Sequence, residues 1–274
     1  MSELGVLSCL FLILLTLFLP LVERKLLIYA QRRMGPTLMG RNGALQIVAD
    51  ILKLLIKETF LIPRPSNSVV PIFLSLLFTT QLLFSLNISW GPSMLLIDSV
   101  DSMILYHLIL ILLSNIFLTV VGLLSQSRYA IIAMVRGLVH VISLDIFITV
   151  IYSLLVLSSQ SANFHDFILT QSVYWNIILY APASSGFLIV LFLESKRAPF
   201  DHSETEAEVV AGYAIEYNGP MYAIFMVSEY IHLLIAAIHF LIFFVGGWIG
   251  IEIFSFLPPI FSSFHDSIIY YKIF

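Results

Sequence analysis

Six long apolar runs, at about 4–22, 69–89, 102–125, 138–157, 174–193 and 218–246, leave this chain few ways to fold. A helix needs roughly 20 apolar residues to cross the hydrocarbon core of a bilayer. Inside lipid every backbone N–H and C=O must be bonded within the spanning structure, which leaves helices or a closed barrel. None of the runs is strongly patterned as a strand, so helices are expected. The expected fold is all-α: a polytopic membrane protein with about six transmembrane helices in a single membrane domain over 1–274. Composition agrees. Hydrophobic residues make up 59% of the chain and charged residues 11%, against about 25% charged in a soluble domain. Mean hydropathy is +1.00.

Several function classes drop out early. The net charge is −4 and there is no basic tract, so nucleic acid is not an expected partner. Cys9, inside the first apolar run, is the only cysteine. It can form no internal disulfide, and an iron–sulfur cluster needs several thiolates. No glycine-rich phosphate loop follows a strand-like run. The first run is preceded by Glu3 rather than by Lys or Arg, and basic residues follow it. It reads as a retained transmembrane helix, not a cleavable signal. There is no internal repeat and no low-complexity linker.

The basic residues orient the helices. Arg24, Lys25, Arg32, Arg33, Arg41, Lys53, Lys57 and Arg64 lie between the first and second runs. Arg128 and Arg136 lie between the third and fourth, and Lys196 and Arg197 between the fifth and sixth. Lys272 alone falls on the other side, and the stretches 90–101 and 158–173 carry no Lys or Arg. This asymmetry places the N-terminus outside and the 194–217 connection in the matrix or cytoplasm. Residues 42–60 differ from the other apolar stretches. Gln46, Asp50, Lys53 and Lys57 fall on one helical stripe of an otherwise apolar segment. An amphipathic helix at the interface, or wedged among other helices, is expected there, either as an anchor or as the wall of a site. Pro63, Pro65 and Pro71 end it and open the next helix.

Charges inside the membrane are costly and call for a reason. Asp145 lies nine residues after Arg136, which is about 13 Å into the membrane. Glu229 lies roughly 16 Å deep. Glu194, Asp201, Glu204, Glu206, Glu208 and Glu216 crowd the connection between the last two runs, with Phe200, Tyr213 and Tyr217 among them. Aromatics on that scale indicate a loop that packs against a cavity or a partner rather than a solvated linker. Two readings stand for the acids: satisfied structural groups, or a proton or ion path. His107, His140, His232 and His239 also lie in membrane segments. They lack the matched pairs at two heights that a haem cytochrome needs, so core histidines are expected.

Two stretches carry a family resemblance. "ERKLLIYAQRRMGPTLMGRNGALQIVADILKLLIKE" at 23–58 and "ESKRAPFDHSETEAEVVAGYAIEYNGPMYAIFMVSEY" at 194–230 resemble subunit 1 of the proton-pumping NADH:ubiquinone oxidoreductases, respiratory complex I. The resemblance runs through nearly the whole chain, weakly in the second and third helices. It implies the heel subunit of the membrane arm. That subunit forms the lower part of the ubiquinone chamber and the acidic path linking quinone reduction to proton translocation. By resemblance, Arg24, Gln31, Arg33, Asp50, Lys53 and Phe225 belong to the quinone chamber. Asp145, Glu194, Arg197, Asp201, Glu204, Glu206, Glu208, Glu216 and Glu229 belong to the proton path, with Arg197 tethering the loop through charge-assisted bonds.

The resemblance further implies that this chain holds no metal, redox centre or catalytic residue of its own. Ubiquinone is the substrate, and NADH, FMN and iron–sulfur clusters sit in partner subunits of the complex. Membrane lipids complete the surroundings. The mitochondrial inner membrane, with the N-terminus on the intermembrane side, is the expected location. Three departures from the family pattern stand out. Thr37 replaces an Asn, Asp145 replaces a Glu, and no counterpart appears of the arginine-rich motif that precedes the family's later helices. A separate polypeptide is expected to supply those helices. The alternative is the heel subunit of a related membrane-bound hydrogenase or other ferredoxin-linked pump. A free-standing carrier would show inverted repeats and broken helices at matching positions, and neither is visible in the sequence.

Overall fold

The computed structural model describes residues 2–37, 39–40, 43–58, 69–86, 88, 102–125, 127–171, 174–197, 200, 212, 217 and 219–248, with side chains from residue 10 onward. Among the described residues all regular structure is helical. In chain order the helices are α1 (Ser2–Ala30), α2 (Gln46–Ile56), α3 (Val70–Leu86), α4 (Met103–Leu124), α5 (Arg128–Ser159), α6 (Phe164–Thr170), α7 (Asn176–Leu179), α8 (Ala181–Glu194) and α9 (Pro220–Phe244). By length and composition α4, α5 and α9 can each cross a membrane, and α3 and α8 are shorter apolar helices. The protein is an all-α polytopic membrane protein.

Three features differ from the sequence expectation. First, the helix expected over 138–157 begins at Arg128. The Ser127 side chain accepts from the Ala130 N–H at 3.2 Å and caps the helix. Ala130, Ala133 and Met134 are then buried in its first turns. Gly122 of α4 makes room for this. A Cβ there would collide with the Met134 side chain. Second, the stretch 158–173, read as a loop, contains α6. Third, the run at 174–193 is two helices, α7 and α8, divided at Tyr180, with Pro182 in the first turn of α8.

These interruptions have a physical reason in α9. The last carbonyls of a helix have no partner within it. Gln171 Nε2 donates to Ile242 O at 2.8 Å, and Asn176 Nδ2 donates to Phe243 O at 3.0 Å. The irregular connection therefore brings two buried side-chain amides to the end of α9. A continuous helix through 174 would take Asn176 elsewhere.

The core lies where α9 packs among α1, α3 and α8 and where α3, α4 and α5 follow one another side by side. Phe84, Ile104, Leu155, Phe164, Phe167, Phe187, Ile235, Phe243 and Phe244 fill its centre. A second cluster joins Val70, Leu74, Val121, Met134, Tyr217 and Phe225. Four buried hydroxyls are satisfied within their own helices. Thr80, Ser85, Ser114 and Ser228 each donate to the carbonyl three residues back. No polar group is left facing apolar neighbours at those positions.

The amphipathic helix, expected over 42–60, spans Gln46–Ile56 and buries none of its residues. Before it the chain turns at Gly43, at a φ of +73°. A Cβ there would strike the Pro36 carbonyl. Pro36 thus packs beneath a position only glycine can fill.

Candidate functional site

α8 ends at Glu194, and Lys196 takes a left-handed backbone conformation with a φ of +49°. The chain turns sharply, and the Lys196 side chain comes back toward α9. There its Nζ lies 3.6 Å from Glu229 Oε1. One turn further along α9, His232 Nε2 lies 2.7 Å from Glu194 Oε1. On the other side, Asn115 Nδ2 of α4 donates to Asp145 Oδ1 of α5 at 2.9 Å. Asp145 is one methylene shorter than the glutamate of the family pattern, and Asn115 meets it from the neighbouring helix.

These groups share one cavity of about 60 Å³ between α3, α4, α5, α8 and α9. Gln81, Asn115, His140, Asp145, Glu194, Lys196, Glu229 and His232 supply its polar lining, among leucines 77, 144, 191 and 233. A water needs about 10–15 Å³ of such space and two to four polar partners, so the cavity suits a few waters. It is far below the roughly 300–1,000 Å³ of small-molecule sites.

A second assembly sits beside the cavity. Tyr230 OH donates to Glu23 Oε2 at 2.8 Å, and Arg197 Nη2 lies 3.4 Å from the same oxygen. The Arg197 guanidinium also stacks over the Tyr230 ring, 5.0 Å from its centroid. Half-burial disfavours the charged guanidinium. Tyr230 and Glu23 outweigh it and hold the Arg197 pKa above the ordinary arginine value. The beginning of the acidic loop is thereby tied to both α1 and α9.

The expected site residues do not all come together. Asp145, Glu194 and Glu229 converge on the cavity, and Arg197 makes the charge-assisted contact. Arg24 and Asp50 pair at 2.7 Å between α1 and α2, and Gln46 Nε2 also donates to Asp50 at 3.0 Å. Gln31, Arg33 and Lys53 are exposed. Phe225 is 1% exposed and packs on Tyr217 in the second core cluster, so it presents no surface to a ligand in this conformation. Asp201, Glu204, Glu206, Glu208 and Glu216 lie outside the described residues. Sequence reasoning missed Glu23, Gln81, Asn115 and Tyr230, and it took His232 for a core histidine. The structure puts His232 on the cavity wall. A lone Asn in the middle of an apolar helix was the available signal for Asn115.

A family model described as NADH dehydrogenase matches residues 4–272. NADH-ubiquinone oxidoreductase chain 1 of Paramecium tetraurelia is 35% identical over 238 residues, covering 86% of this chain and 90% of that protein. The chain belongs to the complex I subunit 1 family. The protein of the same name from Chondrus crispus is 35% identical over 85% of this chain and 71% of its own length. That from Yarrowia lipolytica is 33% identical over 85% of this chain and 68% of its own length. Complex I subunit 1 membership makes this chain a membrane subunit of an NADH–quinone oxidoreductase. The matched span contains both the cavity and the Glu23–Arg197–Tyr230 contact. Among the described residues of this complex I subunit 1 chain, no cluster of His, Cys, Asp and Glu is arranged to hold a metal ion.

Proposed function

We propose that this chain couples quinone reduction to proton translocation in respiratory complex I, through the carboxylate cavity between α3, α4, α5, α8 and α9. The observation that carries the reading is the convergence of Asp145, Glu194 and Glu229, from three helices, on one water-sized space. Reducing a quinone to a quinol takes two electrons and two protons. The transient negative charge acts on nearby carboxylates by Coulomb coupling, which is strong where water is scarce. Each of the three acids has a polar partner whose contact responds as that field changes: the Asn115 amide donates to Asp145, His232 can exchange a proton with Glu194, and Lys196 lies beside Glu229.

Ubiquinone would approach from the α1–α2 side, where Arg24, Gln31, Arg33, Asp50 and Lys53 lie. Asp201, Glu204, Glu206, Glu208 and Glu216 would belong to the same proton path. Arg197, held by Glu23 and Tyr230, fixes the start of that loop. Electrons come from NADH through FMN and iron–sulfur clusters in partner subunits. The compartment that fits is the mitochondrial inner membrane, with the N-terminus on the intermembrane side.

The test is a mild-detergent native gel of the source membranes, with in-gel NADH oxidation and mass spectrometry of the band. The expected result is this chain in a large NADH-oxidising particle. A chain migrating alone, or with hydrogenase partners and no NADH activity, overturns the reading.

A further inference from the structure

Deeper in the bundle than the cavity, four helices bring together a second group of ionisable side chains. His107 of α4 and His239 of α9 lie ring against ring, with centroids 3.9 Å apart. Tyr152 of α5 places its hydroxyl 3.4 Å from His107 Nε2. Phe84 of α3 stacks on His107 at 4.1 Å and 19°, and it stands 6.2 Å from His232 with nearly parallel planes. Phe164 and Phe243 close the remaining sides. His107 is 0% exposed and His239 1%.

The hydrogen bonds of these rings are incomplete in an informative way. His239 Nδ1 lies 2.6 Å from the Ile235 carbonyl and must donate to it, so Nε2 carries the lone pair. That nitrogen has no partner, nor has His107 Nδ1, nor has the inward nitrogen of His232, Nδ1. An unsatisfied buried nitrogen is expensive, and leucine or phenylalanine would fill the same space without that cost. Imidazole is also the side chain that takes up and releases protons near neutral pH. Three of them follow one another inward from Glu194, and the Phe84 ring stands between the first and the other two.

We propose that His107, His239 and Tyr152 form a second proton-holding site in the membrane interior, loaded from the carboxylate cavity through His232 and separated from it by the Phe84 ring. This inference rests on the proton-path reading of the cavity. In the loading step an N–H bond of doubly protonated His232 breaks at Nδ1 and an N–H bond forms at His239 Nε2. One proton moves and no electrons do. Seven residues of helix separate the two histidines, about 10 Å of rise. A short chain of waters admitted when Phe84 turns aside carries the proton across, and the closed ring holds it inside. The ionisable groups facing the site are Tyr152 from α5, His232 from α9 and, beyond it, Glu194 at the end of α8.

The experiment measures protons translocated per NADH oxidised, with the assembled complex in sealed membranes, for Tyr152→Phe, His239→Gln and Glu194→Gln. The two inner variants are expected to lower the ratio by about twofold or more and to change the solvent deuterium isotope effect on pumping, as loss of a relay member would. A substitution that merely loosens packing lowers the amount of complex without changing the ratio. If both inner variants pump at the parental ratio while Glu194→Gln is impaired, the inner site is overturned and the cavity reading stands. If Glu194→Gln also matches the parent, the cavity reading falls and takes the inner site with it. Should His239→Gln fail to assemble, Tyr152→Phe, which removes one oxygen, decides on the same criterion.

Discussion

Two contacts between a basic side chain and a carboxylate have the same length and different surroundings. Arg24–Asp50 and His232–Glu194 both measure 2.7 Å. The side chains of the first pair are 57% and 37% exposed, and those of the second are 17% each. Water and salt screen the outer pair, so it contributes little beyond orientation. The inner pair joins the end of α8 to α9 on the cavity wall, largely shielded from water. Distance alone does not rank these contacts. Burial does, and it separates a screened surface contact from one shielded from water.

The largest break in that comparison comes from Glu194→Gln. The amide leaves His232 without an anion and removes a proton-exchanging group. Coupled quinone reduction is expected to fall by about a hundredfold, in the range for losing one acid–base group, while the complex still assembles on a native gel. An intermediate effect is expected from Gly219→Ala. Gly219 opens α9 at a φ of +55°, and a Cβ there would sit 2.8 Å from the Lys57 carbonyl. The α2–α9 junction must shift, at a cost of about 1–3 kcal/mol, read as a lower melting temperature of the complex. The smallest effect belongs to Arg24→Ala. Stability is expected to change by less than about 1 kcal/mol, and less still at high salt. A large loss of quinone reduction with unchanged stability would instead give Arg24 a role in the chamber.

Much of the fold was legible because lipid restricts the options. An apolar run long enough to cross has to be a helix, so the runs from 69, 102 and 218 coincide with α3, α4 and α9 to within a few residues. The break at Tyr180 and the short helix α6 were not legible. They depend on Gln171 and Asn176 reaching carbonyls 71 and 67 residues away. In the candidate site the acids stood out as costly, and Asp145, Glu194 and Glu229 do meet at one cavity. Their partners did not stand out. Asn115 is 30 residues from Asp145, and Tyr230 is 207 residues from Glu23. Such pairs are chosen by the angles at which helices cross, and hydrophobic periodicity does not encode those angles.

The two amides at the far end of α9 have an electrical consequence. A membrane voltage does work on net charge, about 2.3 kcal/mol per elementary charge for each 100 mV. Gln171 and Asn176 hold that end with neutral dipoles, whereas Lys196, Glu194 and His232 grip the helix toward its other end with charges. At the end held by amides a change in voltage therefore finds no net charge to act on, and that clamp does not loosen as the membrane energises.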